Sequence, residues 1–216
     1  MHTSQELFTI FLLYFTSFFT LINPLGSMPV FLTMTAKLTK KERTKTAIKA
    51  VITAFVTLLI FAFAGQMLFD FFGISVNSFR VVGGIIFFIM GYDMLNARLS
   101  SFKSIPSENV KEYVEDISIT PLGIPMIAGP GAITNAIVLM EDSSNLILKI
   151  FLIGTLIVTM FLTLIIYLGG TKITQILGDT GNKVMLKLMG LIVMVIAVEF
   201  FFAGLGPILK AIFHIA

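Results

Sequence analysis

The chain contains no cysteine, which excludes disulfides, thiolate metal sites and cysteine nucleophiles. Only 12% of its 216 residues are charged, far too few to cover the surface of a soluble domain of this length. The net charge of +3 is small and gives no sign of a nucleic-acid partner. Its two histidines, His2 and His214, lie at the termini and point to no function. No Lys or Arg precedes the first apolar run. That run lacks the basic start of a cleaved signal peptide, so it is expected to remain as a helix.

What the chain has in abundance is apolar residues, 56% of the total, with a mean hydropathy of +0.98. They come in blocks of about 20, long enough to cross a hydrocarbon core of about 30 Å as helices. The runs are too long, and alternate too little, for membrane strands. The expectation is an all-α polytopic membrane protein, a single transmembrane domain over residues 1–216. Six spans are expected, at about 7–36, 47–72, 79–96, 117–140, 146–170 and 184–203, with a short tail over 204–216. The 22 phenylalanines read as lipid-facing and packing surface.

Basic residues set the orientation. Lys37, Lys40, Lys41, Arg43, Lys45 and Lys49 follow the first span, Arg98, Lys103 and Lys111 the third, and Lys172, Lys183 and Lys187 the fifth. Only Arg80, Lys149 and Lys210 fall on the other side. Both termini are therefore expected outside, with the odd-numbered connections in the cytoplasm. The basic run Lys37–Lys49 reads as an orientation signal and a contact for lipid headgroups.

One connection is long and polar, residues 97–116, and it divides the chain into two sets of three spans, 7–96 and 117–203. Three is odd, so related halves would have to be inverted repeats. Asn23-Pro24-Leu25-Gly26 aligns with Gly129-Pro130-Gly131-Ala132 at an offset of 106, Phe72-Gly73 with Leu177-Gly178 at 105, and Arg80-Val81-Val82-Gly83 with Lys187-Leu188-Met189-Gly190 at 107.

The first pair of landmarks interrupts the first and fourth spans. Proline removes a backbone donor and glycine loosens a helix. An unsatisfied backbone group in lipid costs several kcal/mol, so such a break must be buried in protein or line a wet cavity. The helix before a break ends in free carbonyls and the helix after it begins with free N–H groups, giving partial charges of both signs. Pro24 and Pro130 suit the first helical position, and Asn23 then falls at the N-cap. Pro29 lies one turn further on. Gly26, Ser27, Gly129, Gly131 and Ala132 are small enough for a ligand to approach the backbone. A zwitterion matches this arrangement, its carboxylate at the N–H groups and its ammonium at the carbonyls. No formal charge sits at either break, which favours a small net-neutral solute. The plainer alternative is that the two prolines only kink their helices. Matched breaks in two halves of a membrane chain favour a binding site.

Other positions carry open readings. Glu199, inside the sixth span, either carries a coupling proton or snorkels to the nearby interface. Asp93 has Arg98 as a possible partner. Thr134 and Asn135, one turn into the second half-helix, either line the site or bond back to the helix. Tyr92-Asp93 and Gly178-Asp179 are similar to the acid pair of intramembrane aspartyl proteases, but the second lacks the preceding glycine at the required spacing. No His-Glu-x-x-His or Gly-x-Ser-x-Gly motif occurs, and no enzymatic activity, metal or cofactor is expected.

The segment Asn23-Pro24-Leu25-Gly26-Ser27-Met28-Pro29-Val30-Phe31, with Pro121-Leu122-Gly123-Ile124-Pro125 through Gly129-Pro130-Gly131-Ala132-Ile133-Thr134, resembles the MarC family. The resemblance extends over essentially the whole chain, including Gly73-Ile74-Ser75 to Arg80 with Gly83-Gly84, and Leu188-Met189-Gly190-Leu191-Ile192. It implies a prokaryotic inner-membrane protein of two inverted three-helix halves, distantly similar to amino acid exporters of the LysE type. The family's transport-characterised members, of the SnatA type, imply carriage of glycine, alanine and similar neutral amino acids, driven by protons. At the position of Glu199 the family commonly has glutamine, which weakens any shared coupling role there. A secondary transporter coupled to protons or sodium is thus the expected function, with a channel for small solutes as the first rival.

Overall fold

The computed structural model describes residues 4–96 and 110–213. Among them the chain is helical and contains no strand. Its elements are α1 (Ser4–Ile22), α2 (Pro24–Met34), α3 (Lys40–Phe72), α4 (Val76–Leu95), α5 (Val110–Ile117), an irregular π-helical coil over Ser118–Ile127, α6 (Pro130–Asp142) and α7 (Leu146–Phe213). Five helices are long and apolar enough to cross a membrane, or six if the bent pair Val110–Ile127 and Pro130–Asp142 forms one span. Large apolar side chains such as Phe8, Phe63, Met67, Phe161 and Phe202 are exposed around the bundle, the surface a bilayer would cover. The protein is a polytopic membrane protein.

Helix boundaries follow local signals. Thr39 caps α3 with a reciprocal box: Thr39 accepts from the Glu42 N–H, and the Glu42 carboxylate accepts from the Thr39 N–H. Gly73 ends α3 in a left-handed conformation (φ 65°) that favours glycine, and Ser75 caps α4. Along α7, Gly178 (φ 64°, ψ −176°) interrupts the helical path and separates the arms Leu146–Gly170 and Thr180–Phe213.

Three expected boundaries shift. The second span begins at Lys40 rather than at 47, where the Thr39 cap starts α3. The last helix does not end at Ala203 but runs on to Phe213 through Pro207. Residues 204–213 therefore extend the final span, held where Gly204 packs on the Asn77 carbonyl of α4. The polar connection 97–116 also becomes helical before its expected end, from Val110. There Tyr113 donates to the Met34 carbonyl at 2.9 Å and Lys49 pairs with Glu115 at 2.6 Å. The rest of that connection, with Arg98 and Lys103, lies outside the described residues.

α4 packs antiparallel on the second arm of α7 along a row of small residues spaced by seven: Gly84 and Gly91 against Gly190, Ala197 and Gly204. A methyl on Gly91 would lie 2.7 Å from the Gly190 carbonyl oxygen, and one on Gly190 would lie 2.8 Å from that of Gly91. Backbones this close suit membrane helices, which gain little from burying apolar side chains away from lipid.

Candidate functional site

α1 and α6 run antiparallel, shown by three contacts in reverse order. Tyr14 meets Ser143 at 3.2 Å, Ser17 donates to Asn135 Oδ1 at 2.6 Å, and a methyl on Gly131 would lie 3.1 Å from Leu21. α2 continues α1 and α6 begins at Pro130, so the two broken-helix starts lie beside each other and run apart. At 1.5 Å per residue, α2 is about 16 Å long and α6 about 20 Å. Each start therefore lies about half the thickness of a hydrocarbon core, or a little more, from the far end of its own helix.

Both prolines occupy the beginnings of their helices, as their chemistry predicts. Asn23 caps α2: its Oδ1 accepts from the Gly26 N–H at 3.1 Å, and its carbonyl accepts from the Ser27 N–H at 3.0 Å. Asn23 does this from a left-handed conformation (φ 45°), one that asparagine adopts more readily than most residues. The expectation that these N–H groups stand open to a carboxylate is corrected, because the cap already uses both. Gly26 is required here, since a Cβ would collide with the Asn23 amide. Pro29 is buried within α2.

The second break is built differently. Its N-cap is Gly129, which has no side chain to satisfy the first turn of α6. Before it, the Ser118–Ile127 coil is irregular at Thr120 and Ile124, both extended. Each precedes a proline, Pro121 or Pro125, which disfavours helical geometry in the residue before it. Gly129, Gly131 and Ala132 are all buried. Phe87 and the Pro125 carbonyl press on Gly129, while Leu21 and Phe200 lie over Gly131.

A small, partly open cavity of about 40 Å³ lies beside the first break. Asn23, Gly26 and Ser27 supply its polar lining, and Met126 brings in the end of the Ser118–Ile127 coil. Phe87, Met90 and Met94 of α4 and Val193 and Ile196 of α7 close the apolar walls. No charged side chain lines it. Of the residues expected at the site, the structure thus brings Asn23, Gly26 and Ser27 to the cavity. Gly129, before α6, and Gly131, Ala132, Thr134 and Asn135 on it do not line the cavity.

Thr134 does not bond back to its helix. Its hydroxyl is 1% exposed and has no partner, and Asn135 Nδ2 is likewise buried and unpartnered. Asn135 instead ties α6 to α1 through Ser17. Glu199 is exposed on α7 and does not line the cavity. Asp93 is partly buried, and its suggested partner Arg98 lies outside the described residues.

Sequence reasoning missed Tyr167. Its side chain is fully buried, its O–H donates to Ser27 Oγ at 2.9 Å, and its ring stacks on Phe31 at 4.6 Å. Ser27 in turn donates to the Asn23 or Pro24 carbonyl at 3.2–3.3 Å. The first arm of α7 therefore grips the break from behind. A lone tyrosine in an apolar run gives no sequence signal of such a distant partner.

Long apolar helices, two of them interrupted at Pro24 and Pro130, define a polytopic membrane protein. The sequence matches the MarC family, described as MarC family integral membrane protein, over residues 8–209, and the chain belongs to that family. It is 35% identical over 220 residues to a UPF0056 membrane protein of Buchnera aphidicola subsp. Schizaphis graminum, covering 99% of this chain and 100% of the relative. It is 39% identical over 197 residues to a UPF0056 membrane protein of Pyrococcus horikoshii, covering 90% and 94%. A Bacillus subtilis relative, also a UPF0056 membrane protein, is 38% identical over 193 residues, covering 88% and 92%. No solved structure matches the chain.

Proposed function

We propose that this chain is a secondary transporter of small neutral amino acids, glycine, alanine and similar solutes, in a prokaryotic cytoplasmic membrane. Transport proceeds by alternating access around the two helix breaks and is coupled to protons, with sodium as the other candidate ion. The observation that carries this reading is the uncharged cavity beside the first break, lined by Asn23, Gly26 and Ser27. A cavity without formal charge favours a ligand whose own charges cancel, because an unpaired ion there is strongly penalised. Its polar side chains are the Asn23 amide and the Ser27 hydroxyl, which already bond to the Gly26 N–H and the Tyr167 O–H, so a substrate ammonium or carboxylate exchanges with these internal bonds as it enters.

The two breaks divide the work. The α2 start is satisfied by Asn23, whereas the α6 start has no side-chain cap and attracts an anion. In this conformation Leu21, Phe87 and Phe200 cover it. A substrate carboxylate reaches Gly131 and Ala132 once Leu21 and Phe200 move, and the unpartnered Thr134 and Asn135 groups then lie within the same turn. Two inverted three-helix halves with both termini outside fit this scheme. Gly84 and Gly91 precede Gly190 and Ala197 by 106 residues, the same offset that separates Pro24 from Pro130. We assign no enzymatic activity.

The test is uptake of labelled glycine and alanine into proteoliposomes, with and without an imposed proton gradient. Saturable, gradient-driven uptake with counterflow exchange is expected. Non-saturable flux without counterflow would replace the transporter with a channel.

A further inference from the structure

A second concavity lies away from the helix breaks. It is an open groove of about 490 Å³ between α3, α6 and the start of α7. Its apolar part is Phe63 and Met67 on α3, 65% and 69% exposed, with buried Ile137 and Met140 of α6 beneath. Its polar part is Gln66, Asp70, Glu141 and Lys149. All three charges lie close to helix ends. Asp70 stands just before the Gly73 cap, Glu141 beside the last residue of α6, and Lys149 in the first turn of α7. The groove therefore sits where the hydrocarbon core gives way to the headgroup layer.

The charges share the groove without pairing: among the described residues Lys149 forms no ion pair with Asp70 or Glu141. Gln66 Nε2 donates to Asp70 Oδ1 at 2.9 Å and fixes that carboxylate. Two carboxylates and one ammonium, held apart above an apolar wall, are complementary to a headgroup with one anionic and one hydrogen-bonding cationic end.

We propose that this groove is a binding site for phosphatidylethanolamine. The lipid phosphate meets Lys149, the primary ammonium donates to Asp70 and Glu141, and an acyl chain lies over Phe63 and Met67. Charge complementarity selects this lipid. An anionic glycerol headgroup offers the carboxylates no cation, and the quaternary ammonium of phosphatidylcholine has no N–H to donate. The apolar wall and the groove's size favour a lipid over a free amino acid. The site is independent of the transport reading.

The full chain, purified and delipidated in detergent, tests this by thermal unfolding in micelles doped with phosphatidylethanolamine, phosphatidylcholine or phosphatidylglycerol, with soluble phosphoethanolamine as a fourth arm. Phosphatidylethanolamine should raise the melting temperature by several degrees more than the other lipids, and phosphoethanolamine should not. The preference should vanish in Asp70→Asn/Glu141→Gln and weaken in Lys149→Gln. These groups rim an open groove, so melting without lipid should stay near wild type; if the double variant does not fold, Lys149→Gln carries the test. Equal shifts from all three lipids, a preference unchanged in the variants that fold, or a full shift from phosphoethanolamine alone would overturn the proposal.

Discussion

Asn23 performs two tasks that different substitutions separate. Its amide caps α2 through Gly26, and its backbone holds a left-handed conformation. Alanine loses both. The missing cap costs about 1 kcal/mol, and a left-handed conformation costs an ordinary side chain about 1 kcal/mol or more. Asn23→Ala should therefore lose about 2 kcal/mol of stability. Asn23→Gly relieves the backbone and, as a cap, should cost only a few tenths of a kcal/mol. Binding ranks the variants differently. If the Asn23 amide contacts a substrate charge, both variants lose a hydrogen bond worth roughly 1.5–3 kcal/mol, or about 10- to 100-fold in affinity. Unfolding curves and calorimetric binding of glycine and alanine, on the same purified samples, separate the two quantities. A glycine variant with near-native stability and lost binding supports the site. Wild-type affinity in Asn23→Gly would remove Asn23 from it, and equal stability of the two variants would refute the strain argument. Pro24→Ala should be mild, because alanine also starts a helix; if the breaks were only kinks, it would be the damaging change.

Three further outcomes are expected. Gly91→Val inserts bulk against the Gly190 carbonyl, 2.7 Å from the first added carbon; overpacking of this kind costs about 1–3 kcal/mol and should lower the melting temperature more than Gly154→Val, where nothing lies within 4 Å. Single cysteines at Ser4, Ser107 and Ser144 in this cysteine-free chain report topology: Ser4→Cys and Ser144→Cys should label from outside intact cells and Ser107→Cys should not, with the opposite pattern reversing the orientation. Glu199→Gln should leave proton-driven accumulation intact because Glu199 is exposed away from the cavity; loss of accumulation with retained exchange would make it the coupling group.

The breaks were legible because proline and glycine act locally. A proline at the start of each half-helix and an asparagine cap follow from covalent geometry and one side-chain bond. The fifth span was legible for a similar reason: Leu146–Gly170 is one uninterrupted apolar run. The Ser118–Ile127 coil had its own signal in Pro121 and Pro125, four residues apart around Gly123, yet hydropathy alone reads that stretch as helix. What could not be read locally was the difference between the breaks. Asn23 and Gly129 occupy equivalent places, but only asparagine carries an acceptor, so one helix start is satisfied internally and the other is left to the surroundings. Whether those surroundings are substrate or side chain depends on Leu21, Phe87 and Phe200, which come from three helices. The Tyr167–Ser27 bond spans 140 residues and is equally beyond a local reading. This division has a mechanistic consequence. A site with both helix starts self-capped would have little reason to bind a carboxylate, and one with neither capped would pay heavily for standing empty in the membrane. One capped start keeps α2 formed without ligand, while the uncapped start, covered by side chains rather than closed by a side-chain bond, is the one that the proposed function assigns to an anion.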